Sequence, residues 1–212
     1  MLIKIVYDNT SIRNDMQTDW GFAAVIEFEK KMILFDAGAD GNILLHNMQK
    51  MGIDPTSIDT VFISHHHFDH TGGLAAFLAI NNKVTVYVPE SLRGVRNAAK
   101  VIHVSKPVTI GDRFHSTGEL KGIEQSLIIE SENGIVIVAG CSHPGLRKIM
   151  KASEPYGKIY AVVGGFHAFK EFDILKNIRK ICPTHCTQAI SELKEIYPDK
   201  YISGGAGKVI EL

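Results

Sequence analysis

The sequence has no long apolar run, no excess of charge and few cysteines. No stretch approaches the roughly 18 consecutive apolar residues that a membrane-spanning helix needs. Lysine and arginine together number 23, as do aspartate and glutamate, so the formal net charge is zero. A neutral chain has no basic field to hold a phosphate backbone. We therefore expect neither a membrane nor a nucleic acid as a partner.

The three cysteines are Cys141, Cys182 and Cys186. An odd, low number favours reduced thiols over a disulfide framework. Cys182 and Cys186 are four residues apart, which is not the spacing of a paired zinc knuckle. The N-terminus resembles a strand and lacks the basic start and cleavage site of a signal peptide. These features predict a cytoplasmic protein, and a length of 212 residues favours a single domain over residues 1–212.

Short β-branched runs alternate with helical stretches along the whole chain. The predicted strands are 2–8, 22–29, 32–36, 59–64, 84–88, 101–104, 113–117, 125–131, 134–140, 158–164, 181–184 and 208–212. The predicted helices are 41–51, 72–81, 90–99, 144–153 and 187–197. Hairpin runs followed by a helix occur twice, in roughly 1–104 and 105–212. This order predicts an α/β (α+β) fold of four layers, α/β/β/α, with two sheets face to face and helices outside.

The segment VFISHHHFDHTGG is the strongest chemical signal in the chain. His65 and His67 are two residues apart, so an extended strand end directs both the same way, whereas His66 alternates away to pack or meet solvent. Asp69 and His70 follow before a helix begins. Two imidazoles and a carboxylate–imidazole pair can hold two cations. The alternative is a histidine-rich surface loop, against which the acid and the strand–loop–helix context both argue.

Three further histidines lie beside glycine or proline at the end of an apolar run, where strands stop at an active-site edge. They are His143 in IVIVAGCSHPG, His167 in AVVGGFHA and His185 in ICPTHCT. For each, an ordinary loop histidine is the alternative. The remaining histidines lack that context and are interpreted as non-catalytic: His46, His103 and His115.

The pattern H-x-H-x-D-H after a strand, followed by T-G-G and a helix, resembles the metallo-β-lactamase superfamily. ILFDAG resembles that family's second landmark, which implies that Asp36 orients a metal-bound histidine from behind it, although a turn aspartate is the alternative. GCSHPG, GGFH and PTHCT, with the opening Asp8–Asn9 pair, resemble the 7,8-dihydropterin-6-yl-methyl-(ribofuranosyl)aminobenzene 5′-phosphate synthases. The resemblance implies a four-layered sandwich, one or two divalent ions and a small-molecule substrate. It leaves the oligomeric state open.

The chain departs from the wider superfamily where a third histidine and then a Gly-Asp pair are usual. GELKGIEQSL contains no histidine, and Gly140-Cys141 stands in place of the pair. A ligand could therefore come from Glu124, Cys141 or His143, of which we favour His143 with Cys141 as a near neighbour. Imidazole and thiolate suit zinc, which we favour over manganese, iron or magnesium. The predicted metal ligands are His65, His67, Asp69, His70, His143, His185 and Cys141.

A bound divalent ion lowers the pKa of water from about 15.7 toward 7, which predicts a hydroxide nucleophile at neutral pH. Asp69 would orient that nucleophile or accept its proton, and His167 or an unbound His185 would protonate the leaving group. Cys141 is the alternative nucleophile. We favour hydrolysis of an ester, lactone, amide or phosphoester. The alternatives are the carbon–nitrogen transfer implied by the resembled group, and a metal-binding or redox module without hydrolytic activity.

Overall fold

The first of two sheets is built mainly by the N-terminal half of the chain. The computed structural model describes residues 1–212. The strands in this half are β1 (Leu2–Tyr7), β2 (Ala23–Phe28), β3 (Lys31–Phe35), β4 (Thr60–Phe62), β5 (Thr85–Pro89) and β6 (Lys100–Val104). The last strand, β13 (Val209–Glu211), completes a seven-stranded sheet in the order β13-β1-β2-β3-β4-β5-β6. Strands β13 to β3 pair antiparallel and β3 to β6 pair parallel.

The second sheet comes entirely from the C-terminal half. Its strands are β7 (Val108–Gly111), β8 (Phe114–Ser116), β9 (Leu127–Ser131), β10 (Gly134–Ala139), β11 (Ile159–Gly165) and β12 (Lys180–Thr184), in the order β12-β11-β10-β9-β8-β7. Strands β7 to β10 pair antiparallel, whereas β10, β11 and β12 run parallel. Because parallel strands end at one edge of a sheet, the loops after these three strands lie side by side.

Helices cover the outer face of each sheet. They are α1 (Gly41–Lys50), α2 (Phe68–Thr71), α3 (Leu74–Ile80), α4 (Leu146–Ser153) and α5 (Ile190–Ile196). The side chain of Asp40 accepts hydrogen bonds from the backbone N–H groups of Asn42 and Ile43, which stabilises the start of α1. No helix is long and apolar enough to cross a membrane.

The buried apolar side chains form three layers that correspond to the alternating strand faces. One layer lies between the two sheets, where Phe35 stacks on Phe62 with ring centroids 5.5 Å apart and Val138 packs from the opposite sheet. A second layer includes Leu44 of α1 and Phe77 of α3, against the first sheet. The third joins α4 and α5 to the second sheet. The predicted four-layered α/β/β/α fold is confirmed.

The structure differs from the prediction at two elements. The helix predicted at 90–99 is wrong, because this segment is an irregular loop. Gly94 and Asn97 there have left-handed backbone angles, with φ of 86° and 64°, which a right-handed helix cannot contain. Strand β7 was not predicted, because four residues are too few to carry a periodic pattern.

Candidate metal centre

The aspartate that ends the β3 segment holds one end of the histidine cluster. Asp36 is fully buried and accepts hydrogen bonds from the backbone N–H and the hydroxyl of Ser64, each at 2.7 Å. Its Oδ2 also lies 2.7 Å from Nδ1 of His70. Burial favours the neutral imidazole, but the Asp36 carboxylate outweighs it and raises the pKa of His70. With Nδ1 fixed on Asp36, the Nε2 atom of His70 is directed into the centre.

Three imidazoles form the first group of possible ligands. The ligand atoms of His65, His67 and His143 all lie within 4.8 Å of one another. His65 Nε2 and His67 Nδ1 are 3.1 Å apart, and the Nδ1 atom of His65 contacts the hydroxyl of Ser64 at 2.9 Å. The Nε2 atom of His143 is buried without a hydrogen-bond partner. Burial and the neighbouring His67 lower the pKa of His143 to about 4, so its imidazole is neutral and free to bind a cation at neutral pH.

A second group contains Asp69, His70 and His185, again with ligand atoms within 4.8 Å. Asp69 Oδ2 lies 3.2 Å from Nε2 of His185 and 3.6 Å from Nε2 of His70. Nδ1 of His185 contacts Oδ1 of Asn9 at 2.9 Å, while its buried Nε2 has no hydrogen bond of good geometry. Burial alone would raise the pKa of Asp69, but the adjacent His185 and His70 imidazoles lower it to about 2. The carboxylate is therefore ionised at neutral pH.

Cys141 lies between the two groups, at the end of β10. Its Sγ is 3.2 Å from Nε2 of His70 and belongs to a third set of close ligand atoms with His65 and His70. The position is one where a sulfur could approach a cation of either group. Thiolate and imidazole together favour a borderline-soft ion such as zinc.

Glu124 was one of three possible sources of a missing ligand, and the structure gives it another task. Its Oε1 accepts hydrogen bonds from the backbone N–H groups of Gly140, Cys141 and Ser142, at 3.1, 3.0 and 3.0 Å. Oε2 accepts one from the N–H of His143 at 2.8 Å. Both oxygens are thus directed at the backbone rather than at the cluster. Burial raises the pKa of this carboxyl to about 6, against the lowering effect of these N–H groups.

The other predicted histidines fall into two sets. The ring of His167 lies 4.9 Å from that of His143, at the exposed rim of the centre. His66 is exposed beside His67. The three histidines interpreted as non-catalytic contact other partners: His46 the carbonyl of Asp15, His103 the guanidinium of Arg93, and His115 the carboxylate of Glu130.

Sequence reasoning assigned no function to Asn9 and did not single out Trp20. Asn9 Oδ1 contacts His185 Nδ1, and the Asn9 amide donates to the His185 carbonyl at 3.0 Å. Trp20 is 56% exposed, and its ring centroid lies 4.9 Å from that of His185. The opening Asp8–Asn9 pair of the resembled synthases was the one signal that could have marked Asn9. Nothing in the pattern around Trp20 marked it.

Left-handed backbone conformations concentrate at this centre. Seven non-glycine residues have positive φ, and four of them adjoin the cluster: Asp36 (54°), Ser142 (62°), His167 (40°) and His185 (50°). Each such residue costs about 1–3 kcal/mol and persists only where its surroundings enforce it. The concentration of strain at the ends of β3, β10, β11 and β12 is typical of a functional site.

Comparison with known proteins agrees with this geometry. The 7,8-dihydropterin-6-methyl-4-(beta-D-ribofuranosyl)-aminobenzene-5'-phosphate synthase of Methanocaldococcus jannaschii is 29% identical over 262 aligned positions, covering 90% of this chain and 89% of that protein. Ribonuclease Z of Aeropyrum pernix is 32% identical over 50% of this chain and 31% of its own. The solved structure of a metal-dependent hydrolase of the beta-lactamase superfamily covers the whole chain and 99% of its own, with a TM-score of 0.82 and 24% identity.

The sequence model of the Metallo-beta-lactamase superfamily matches residues 21–147. That range contains Asp36, the whole H-x-H-x-D-H segment, Cys141 and His143. Proteins of this superfamily generally bind divalent metal ions. Because the match spans more than half of the chain and includes one ligand group entire, this chain belongs to the metallo-beta-lactamase superfamily.

Proposed function

We propose that this protein is a metal-dependent hydrolase that holds two divalent ions, with zinc as the proposed metal, in the two ligand groups. His65, His67 and His143 would hold one ion, and Asp69, His70 and His185 the other, with Cys141 between them. One observation carries the proposal: the buried Nε2 atom of His143 has no hydrogen-bond partner, and that of His185 has only the Asp69 carboxylate, 3.2 Å away and without good hydrogen-bond geometry. A buried polar atom left unpaired costs about 1–3 kcal/mol, which a bound cation would recover.

When bound, such ions would lower the pKa of water and polarise a substrate oxygen. Three residues that do not belong to the ligand groups hold the ligands in position. Asp36 orients His70, Asn9 orients His185, and Glu124 holds the loop that carries Cys141 and His143. Preorganised ligands of this kind need no rearrangement when a cation enters.

The low pKa of Asp69 supports one of its two predicted tasks over the other. With a pKa of about 2, this carboxylate is a poor proton acceptor at neutral pH, since an efficient base has a pKa near the working pH. We therefore propose that Asp69 serves as a ligand and positions the nucleophile. His167, exposed at the rim and 4.9 Å from the His143 ring, is the candidate proton donor to the leaving group.

A small-molecule substrate would enter past two exposed aromatic side chains. Phe68 is 71% exposed and directly precedes Asp69, and Trp20 is 56% exposed with its ring centroid 4.9 Å from that of His185. Their apolar surface favours a substrate with an apolar or planar portion. Esters, lactones and phosphoesters of that type are the proposed substrate class.

The test replaces neighbouring histidines that differ in their place at the centre. His67→Ala removes a member of the first group, whereas His66→Ala removes an adjacent, likewise exposed histidine that belongs to no ligand group and serves as the matched control. We expect His67→Ala to lose about one metal equivalent and its hydrolytic activity toward a phosphodiester, lactone and thioester panel. His66→Ala should keep both. Unchanged metal content in His67→Ala would contradict the proposal.

The identity with the methanogen synthase supports a second candidate, carbon–nitrogen transfer to an aminobenzene ribofuranosyl phosphate. The two reactions differ in the fate of solvent oxygen. In water labelled with a heavy oxygen isotope, hydrolysis incorporates the labelled oxygen into a product, whereas a transfer between two organic substrates does not. If the metal-loaded protein turns over neither type of substrate, the third alternative, a metal-binding or redox module, is favoured instead.

A further inference from the structure

Two of the three cysteines meet at the edge of the metal centre. Cys141 follows β10 and Cys186 follows β12, and both are free thiols with 3% and 8% exposure. Their sulfur atoms lie within 4.8 Å of each other and of a ring nitrogen of His185. The Cys186 sulfur is 3.8 Å from the Cys141 carbonyl oxygen. Cys141 lies between the two proposed ligand groups, whereas Cys186 has no role in the proposed hydrolysis.

The strand between the two cysteines leaves the space in which their sulfur atoms come close. Strands β10 and β12 are separated by β11, and neighbouring strands lie about 4.8 Å apart, so their ends start about 10 Å from each other. The two cysteines approach above Gly165, the last residue of β11. A Cβ atom at Gly165 would lie 2.7 Å from the Cys186 sulfur and 3.1 Å from Cys141 Cα. The missing side chain therefore provides the space in which the thiols meet.

Cys182 is close in sequence but not in place. Its side chain is fully buried in the layer between the two sheets, on β12, with apolar neighbours. It belongs to none of the close groups of possible ligand atoms. The chain therefore contains one dithiol pair at the centre and one isolated thiol in the core.

From this arrangement we infer that Cys141 and Cys186 are an oxidation site, which a peroxide converts into a reversible disulfide. The two S–H bonds break and one S–S bond forms. The peroxide accepts the two electrons and the two protons and leaves as two waters. A dithiol reductant reverses the step by exchange.

The disulfide would also change the proposed metal centre. The Cys141 sulfur lies 3.2 Å from His70 Nε2, and once bonded to Cys186 it is no longer a thiolate ligand. Oxidation is therefore expected to lower metal content, and bound metal is expected to slow oxidation. These two effects of and on the metal rest on the proposed function, whereas formation of the disulfide does not.

The experiment compares metal-free protein with protein loaded with zinc ions alone, each treated with hydrogen peroxide at neutral pH. In the metal-free protein we expect titratable thiols in denaturant to fall from three to one, with an intact mass lower by two hydrogens. Dithiothreitol should restore all three thiols. Three thiols remaining, or a mass gain from added oxygen, would overturn the inference.

Variants assign the bond, because Cys182 and Cys186 lie on the same tryptic peptide, between Lys180 and Lys194. Cys182→Ala should still form the disulfide and retain no free thiol, whereas Cys186→Ala should form none. A crosslink that persists in Cys186→Ala would place the bond on Cys182 and refute the pair. The wild-type thiol count remains decisive if a variant does not fold.

The two proposals fail in different ways. If the disulfide forms but zinc never binds, the oxidation site stands and the hydrolase proposal falls. If zinc binds and His67→Ala loses it, yet no disulfide forms, the hydrolase proposal stands and the oxidation site falls. In the zinc-loaded protein, zinc release measured with a chromogenic chelator should accompany the loss of thiols. That loss should be at least several-fold slower than in the metal-free protein.

Discussion

Replacing Glu124 with glutamine tests whether this side chain organises the loop between Gly140 and His143. The carboxylate accepts four backbone hydrogen bonds, three at Oε1 and one at Oε2. A glutamine retains an acceptor for the three but presents an amide N–H₂ to the His143 N–H, so one buried donor loses its partner. An unpaired buried donor costs about 1–3 kcal/mol, and the lower desolvation cost of a neutral amide offsets part of it.

We therefore expect Glu124→Gln to lower the free energy of unfolding of the metal-free protein by about 1–3 kcal/mol. The measurement is urea denaturation after treatment with a chelator. Zinc affinity, measured by competition with a chromogenic chelator, should fall as well because the loop carries Cys141 and His143. Glu124→Ala would leave all four donors unpaired, at a cost comparable with the whole stability of a typical domain.

One pair of results would refute this reasoning. If Glu124 were a metal ligand, Glu124→Gln would lose metal while the metal-free protein kept wild-type stability within about 0.5 kcal/mol, as surface substitutions usually do. If stability and zinc affinity are both unchanged, the carboxylate neither binds metal nor positions the loop. A loss of stability in the metal-free protein is the result that only the positioning task explains.

Three further outcomes follow from single contacts. Asp36→Asn should lower zinc affinity about 10–100-fold, measured by chelator competition, because the amide no longer fixes the His70 tautomer; unchanged affinity would contradict this. Gly164→Ala should abolish or severely reduce soluble folded protein, judged by circular dichroism, since its Cβ would lie 1.9 Å from the Ala139 carbonyl oxygen at a φ of 119°. Burial raises the pKa of Cys182 to about 12, so above about pH 9 the unfolded chain loses a proton that the folded chain keeps. Wild-type stability, relative to Cys182→Ala, should fall as the pH rises from about 8 to about 10 in urea denaturation, and a constant difference would contradict the shift.

The residues of the metal centre that could be predicted from the sequence are those whose pattern lies within one short segment. His65, His67, Asp69 and His70 lie within one six-residue segment, so their common orientation follows from one strand end and one helix start. His143 and His185 were singled out by glycine or proline at the ends of apolar runs, a pattern that parallel strands produce wherever they end. The four layers follow for the same reason, since each strand's alternation assigns its own buried face.

The remainder depends on contacts between distant segments. The four N–H groups that donate hydrogen bonds to Glu124 lie 16 to 19 residues further along the chain. Asn9 contacts His185, which is 176 residues away in sequence. No local pattern marks either pairing. The loop at 90–99 has apolar and basic residues at helical spacing, yet left-handed angles at Gly94 and Asn97 end the helix that this spacing predicts.

Asp36, Asn9 and Glu124 hold the metal centre in a way that does not depend on the side chain at position 141. Each of these residues fixes a different loop, and none of them makes a hydrogen bond to the side chain of Cys141. Glu124 holds Cys141 only through its backbone N–H, so the loop keeps its shape whatever side chain stands there. A different side chain at this position would change the charge and softness of the centre, and its contact with His70, while the backbone hydrogen bonds to Glu124 remain. Because the residue here is a cysteine, its sulfur lies within 4.8 Å of the Cys186 sulfur, and this pair couples the centre to oxidation.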